Sequence, residues 1–260
     1  MNIVVVVQAR RGSTRLPDKV LLPLAGKPLL SRMIERVKAA KTPLEVVVAT
    51  TTENPDQAIR NLCRDMDVEC FRGHPLDLLD RHYGAARDFG ADVVVKIPSD
   101  CPLIDPAVID RVLQSYRDAP DRFDYVSNLH PPSYPDGNDV EVMPFHVLET
   151  AWHEAKDPQE REHTTPFIWR NPDRFRIGNV VWETGKDYSS THRWTINYPE
   201  DYAFISRVYE ELWSASQPVF TMEQILDLLE SRPDIHALNS MYAGEFWYTR
   251  ADRKSAGVIV

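Results

Sequence analysis

Apolar and polar positions fall in blocks along this chain, and the blocks predict strands alternating with helices. Ile3–Val7 is a near-continuous apolar run, as expected of a parallel strand buried on both faces. Pro28 opens a stretch in which Leu29, Leu30, Met33, Ile34 and Val37 recur at helical spacing. Glu45–Thr50 reads as a second strand, ending in the polar run Thr50, Thr51 and Thr52. From Pro55 a helix with Ala58, Ile59, Leu62 and Met66 inward is predicted, then a short strand at Val68–Phe71. A helix over 75–89, a strand at Val93–Ile97 and a helix carrying Val108, Ile109, Val112, Leu113 and Tyr116 complete this half. Such alternation implies a mainly parallel sheet with helices on both faces. Ligands of such sheets sit beyond the carboxyl ends of the strands. The loop after the first strand, the Thr50 run and Asp100 all fall there.

After Asp124 the pattern changes. Tyr125–Asn128 and Asp139–Met143 read as strands around the irregular HPPSYPDG loop (130–137). A helix is expected from about His146 to Ala155, another over 160–172, and a strand at Phe175–Val181. RWTIN (193–197) is expected to return to the sheet. Pro199 starts a helix with Phe204, Ile205, Val208 and Leu212 inward, and a last amphipathic helix spans roughly 221–230. This predicts one domain over 1–230 with an insertion at about 128–190; residues 231–260 carry no readable role.

Composition narrows the ligand. With 260 residues, 43% of them apolar and 27% charged, the chain suits an ordinary globular protein with a sizeable core. A net charge of −9 argues against a general nucleic-acid binder or an anionic-membrane binder. No window approaches the apolar length of a membrane span, and Ile3–Val7 is too short for a signal-peptide core. Cys63, Cys70 and Cys101 have no metal-binding spacing, and their odd number suggests no disulfide framework, so a reducing cytoplasm is the expectation.

Against this acidic background Arg10, Arg11, Arg15, Lys19 and Lys27 crowd one stretch, ARRGSTRLPDKVLLPLAGK. A small anionic ligand, most simply a polyphosphate, accounts for them. Gly12 permits a tight turn, whose successive N–H groups can cradle an anion. Arg10 and Arg15 can grip phosphate as forks, and Lys19 adds a mobile point charge. The spacing is not that of a Walker A loop. A solvated basic turn is the alternative on residue chemistry alone.

The stretch ARRGSTRLPDKVLLPLAGKPLL closely resembles the opening of the cytidylyltransferases that activate acidic sugars, especially the spore-coat polysaccharide biosynthesis group. VVVATT (46–51), FRGHPLDLLDRHYGAA (71–86), ADVVVKIPSDCPLIDP (91–106), NDVEV (138–142), EREHTTPF (160–167) and RWTINYPEDYAFI (193–205) continue the likeness. The resemblance implies a Rossmann-like nucleotidyltransferase with an inserted dimerisation arm, working as a homodimer. It also implies attack of an acidic-sugar oxygen on the α-phosphorus of CTP, with Mg2+ as cofactor and pyrophosphate leaving. Catalytic roles then fall to Arg10, Lys19 and Asp100, with Asp100 as metal ligand. Gln8, Ala9, Gly12, Ser13, Arg15, Thr50, Thr51 and Arg81 would join Arg10 and Lys19 around the nucleotide. For Arg81, an exposed position on a helix face is the alternative.

Asp139, Glu141, Arg161 and His163 are the expected acceptor residues. Asp139 and Glu141 alternate along a strand and should share a side, although an Arg161–Glu141 bridge would serve as well. At Asn197 the chain departs from the family pattern, which has an aspartate as second metal ligand. Asn197 offers only a neutral oxygen, so Glu200 or Asp201 is a possible substitute. Asp105, ahead of Pro106, reads as a helix cap, and Cys101 as a packed core residue. Two rivals stand beside this reading. A GT-A-like glycosyltransferase would need an Asp-x-Asp pair, which SDCP (99–102) lacks. A non-catalytic nucleotide-binding subunit is suggested by Asn197.

Overall fold

The computed structural model describes residues 1–245. Among these described residues nine strands form in chain order: β1 (Ile3–Gln8), β2 (Pro23–Leu24), β3 (Lys27–Pro28), β4 (Glu45–Thr51), β5 (Glu69–Gly73), β6 (Val93–Pro98), β7 (Tyr125–Ser127), β8 (Glu141–Pro144) and β9 (Ile177–Asn179). Ten helices accompany them: α1 (Leu29–Lys38), α2 (Gln57–Asp65), α3 (Leu78–Asp88), α4 (Pro106–Arg117), α5 (Phe145–Glu154), α6 (Pro158–His163), α7 (Pro166–Trp169), α8 (Pro199–Leu212), α9 (Met222–Ser231) and α10 (Pro233–His236). Seven strands make one sheet in the order β5-β4-β1-β6-β8-β7-β9, while β2 and β3 form a small hairpin. Only β8 runs against the others, pairing antiparallel with both β6 and β7. This is the expected Rossmann-like sheet.

Strand β1 shows why the fold closes. Ile3, Val5 and Val7 face a core built with α1, α2, α4, α8 and α9. Val4 and Val6 face the opposite core, against α3, α5 and α7. A strand covered on both faces must be apolar at every position, which is what the sequence pattern displayed.

Four differences from the predicted elements matter. Residues 128–190 are not set apart from the sheet: they supply β8 and β9 to it and α5 and α7 to its cover. The predicted helix over 160–172 is two helices, broken at Thr164 with φ 74, because Pro166 cannot continue α6 and instead starts α7. The helix predicted over 75–89 begins at Leu78, where the Asp77 carboxylate caps it by accepting from the Asp80 N–H at 2.9 Å.

The RWTIN segment is not a sheet strand. Its amides bond to loops instead: the Trp194 N–H donates to Asp136 O (2.7 Å) and the Ile196 N–H to Asp100 O (2.9 Å). Gly137 makes this approach possible. Its φ is +107, and a Cβ there would sit 2.7 Å from the Trp194 carbonyl carbon. Residues 193–197 are thereby pinned beside the loop that follows β6. That contact sets up the site.

Candidate active site

Three loops meet at the carboxyl ends of β1 and β6. The chain leaves β1 at Gln8, and the Ala9 N–H donates to Ala49 O at 3.1 Å, tying the loop to β4. The next turn is held by Arg11, not by Gly12. The Arg11 guanidinium clasps both carboxylate oxygens of Asp18 at 2.6 and 3.0 Å, and the Arg11 backbone N–H donates to Asp56 Oδ1 at 2.8 Å. The left-handed residue here is Asp18 (φ 58), whereas Gly12 has no positive φ and open space around it. Gly12 therefore leaves room beside the backbone and forces no turn. Ser13 closes a local turn, its Oγ accepting from the Leu16 N–H at 3.3 Å.

This bracing delivers Lys19, at the start of a short 3-10 turn (Lys19–Leu21), to the far loops. Lys19 Nζ donates to Asp100 Oδ2 (3.2 Å), Ile196 O (2.7 Å) and Asn197 Oδ1 (3.2 Å). Arg15 reaches the same amide oxygen at 2.6 Å. Two cations, one carboxylate and one amide thus form a single hydrogen-bonded set drawn from loops remote in sequence. Arg10 has no hydrogen-bond or ion-pair partner among the described residues. Lys27 turns away to Glu35 (2.6 Å), so it and Arg11 serve the scaffold.

The electrostatics favour added positive charge. Burial pushes the Asp100 carboxyl up, but the Lys19 ammonium, with help from Arg15, outweighs it and holds Asp100 below the ordinary range. Nearby, the Asp139 carboxyl is pushed up to about 7 by burial and then by the charge of Asp100. Asp136 rises too, from burial and from Asp139. For a carboxyl raised in this way the folded state holds the extra proton. Its ionisation costs stability as pH rises from the ordinary carboxylate range through about 7. A cation would relieve that cost.

The donor chemistry also suits magnesium. Asp100 and Asn197 offer oxygens only, and magnesium needs one or two protein ligands, taking the rest from water and phosphate. Among the described residues no three His, Cys, Asp or Glu gather into a ready-made ion cage. Asp201 cannot substitute at Asn197. It is 0% exposed and held by Arg193 at 2.9 and 3.1 Å.

The remaining predicted residues separate. Gln8 and Thr50 lie at adjacent strand ends, and Gln8 Oε1 and Thr50 Oγ1 are buried without partners. The Thr51 hydroxyl is taken by Asp56. Arg81 is not an exposed helix-face arginine: it is 1% exposed, donates to His74 O and Pro75 O, and feels the repulsion of Arg10.

Glu141 is 1% exposed and bonded to Lys96 and to the Tyr125 hydroxyl, so its carboxylate is engaged within the fold. Arg161 pairs with Asp77 at 2.7 Å and donates to Trp152 O, so the alternative bridge to Glu141 is absent too. Asp139 precedes β8, beside Asp100. Burial lowers the His163 imidazole to about 4. Asp105 caps α4, its carboxylate accepting from the Ala107 N–H at 2.7 Å, and Cys101 is packed. Sequence reasoning missed Lys96, though a lone lysine in the strand VVVKI was a visible signal. It also missed Tyr198, whose ring lies 5.6 Å from the Arg15 guanidinium carbon.

Comparison with known proteins agrees with this geometry. The cytidylyltransferase family model matches residues 4–231. An uncharacterized protein of Methanocaldococcus jannaschii is 36% identical over 243 residues, covering 92% of this chain and 95% of the relative. The spore coat polysaccharide biosynthesis protein SpsF of Bacillus subtilis is 28% identical over 90% of this chain and 96% of its own length. A 3-deoxy-manno-octulosonate cytidylyltransferase of Geobacter sulfurreducens is 37% identical, but across only 46% of this chain and 47% of the relative. A cytidylyltransferase structure from Leptospira borgpetersenii superposes with a TM-score of 0.85 at 31% identity, covering 90% of this chain and 96% of that one. Taken with the basic loop set against Asp100 and Asn197, these likenesses make the chain a nucleotidyltransferase of the cytidylyltransferase family.

Proposed function

We propose that the protein transfers CMP from CTP to an acidic sugar, of the octulosonate or sialic-acid type, and releases pyrophosphate with Mg2+ as cofactor. The observation that carries this reading is Lys19 Nζ bonded at once to Asp100, Ile196 O and Asn197. A cation so placed would be free to turn to a phosphate if the Asp100 carboxylate were holding a metal. The neighbouring roles in spore-coat polysaccharide and octulosonate chemistry support an acidic-sugar product for a surface polysaccharide.

Phosphoryl-type transfer asks the protein for position and charge neutralisation more than for covalent chemistry. Arg10, Arg15 and Lys19 would hold the triphosphate, with Gly12 and Ser13 giving close backbone approach. Gln8, Ala9, Thr50 and Thr51 would face base and ribose, with the orphaned Gln8 and Thr50 oxygens awaiting donors. Arg81 would add positive field beneath Arg10. Asp100 and Asn197 would hold magnesium, which neutralises charge on the transferred and leaving phosphates. Acceptor contacts narrow to Asp139 and His163, because Glu141 and Arg161 are occupied by the fold. Assembly as a homodimer through the 128–190 segment belongs to the same reading.

The test is a pyrophosphate-release assay with CTP, Mg2+ and a panel of octulosonic and nonulosonic acids. At least one acid should give release that depends on both CTP and metal. No release across the panel would overturn the proposed activity.

A further inference from the structure

Residues 233–242 return to the site from a part of the chain in which the sequence showed no role. Asn239 is 1% exposed, and its Nδ2 donates to Asp201 Oδ1 at 3.0 Å and to Arg193 O at 2.8 Å. Asp201 in turn accepts the N–H of Asn197 (2.8 Å) and of Tyr198 (2.9 Å) at the start of α8. Three residues on, the Tyr242 ring stacks on Tyr198 with centroids 4.2 Å apart and planes 20° from parallel. The Arg15 guanidinium lies near that same Tyr198 ring, 5.6 Å from its centroid. One short turn therefore acts on both peptide units beside Asn197 and on the ring beneath Arg15.

We propose that Asn239 and Tyr242 are positioning residues that aim the Asn197 amide oxygen and the Arg15 guanidinium at the triphosphate and its metal. Neither touches the nucleotide. An amide oxygen binds well only along its lone-pair directions, so the backbone that carries it must be held. Arg15 is a long side chain on an exposed loop, and a ring beneath it reduces the freedom lost on gripping phosphate. Partners of this kind govern ligand affinity at a distance. The proposal rests on the reading that Arg15 and Asn197 serve the CTP site.

The experiment uses the full chain and two readouts, amide hydrogen exchange without ligand and CTP affinity with magnesium. In Asn239→Ala, exchange at the Asn197 and Tyr198 amides is expected to quicken about tenfold while β1 amides keep their protection. In Asn239→Ala and Tyr242→Ala, CTP binding is expected to weaken by about tenfold, and Tyr242→Phe, which keeps the stack, should restore it. Unchanged exchange at both amides overturns the proposal. So does a loss of protection shared by β1 with CTP affinity unaltered, which would mark a merely structural contact. If the unaltered chain binds no CTP, the proposed function fails, and the exchange result alone decides whether the turn positions Asn197.

Discussion

Lys19→Ala is expected to lower kcat/KM for CTP by about three orders of magnitude, the loss typical when a preorganised group facing transition-state charge is removed. Its side chain is 12% exposed and already bonded to three oxygens, so little ordering remains to be done on ligand binding. The substitution has a second consequence. Lys19 is what holds the Asp100 carboxyl down against burial, so without it Asp100 is ionised only at higher pH. The acidic limb of the kcat/KM profile should therefore move toward higher pH in Lys19→Ala. Lys19→Arg keeps the charge but puts a planar fork where a compact ammonium meets three acceptors, and recovery should be partial. Steady-state kinetics across pH decides it. A loss under tenfold would remove Lys19 from the chemistry.

Asp201→Ala is expected to have the largest effect on stability, a loss of roughly 3–5 kcal/mol, as for removal of one partner from a buried ion pair. The carboxylate is fully buried and accepts from Arg193 Nε (2.9 Å), Arg193 guanidinium NH2 (3.1 Å), two backbone N–H groups (2.8 and 2.9 Å) and Asn239 (3.0 Å). The alanine leaves a buried guanidinium with only more distant acidic neighbours, Asp136 at 3.5 Å and Glu245. It also leaves two N–H groups at the start of α8 without an acceptor, where a carboxylate is favoured by the helix dipole. Denaturant unfolding measures the loss. Asp234→Ala, which breaks an exposed pair with Arg232, is the control and should leave the midpoint unchanged.

How much of this was legible depended on what each residue packs against. The first half of the sheet was readable because strands covered on both faces need apolar runs, which β1 has over Ile3–Val7, β4 over Val46–Ala49 and β6 over Val93–Val95. RWTIN carries the same alternation, with Trp194 and Ile196 inward, yet its backbone partners are loops. Periodicity reports burial and is silent about which backbone does the pairing. In the predicted helix over 160–172, the restriction imposed by Pro166 on Thr165 was the overlooked signal.

At the site, residue type revealed the cations and Asp100, because five basic residues in one loop of an acidic chain need an anion. It did not reveal which of them were already paired. Arg11 and Lys27 have carboxylate partners seven and eight residues away, while Lys19 and Arg15 reach across the fold. Nor could Glu141 be separated from Asp139, since only the register of β6 against β8 puts Lys96 opposite Glu141. Asn239 had no signal at all. Its role exists only because α10 folds back on α8.

In the proposed function the loop after β1, Asp100 and Asn197 make one metal-assisted clamp for CTP. Calorimetric titration of the full chain with CTP, UTP, ATP and GTP, each with and without magnesium, tests it most directly. CTP should bind at least about tenfold more tightly than the other three, which is about 1.4 kcal/mol, with magnesium strengthening the complex. Equal affinity for all four nucleotides, or CTP binding that ignores both magnesium and Lys19→Ala, would rule out such a clamp.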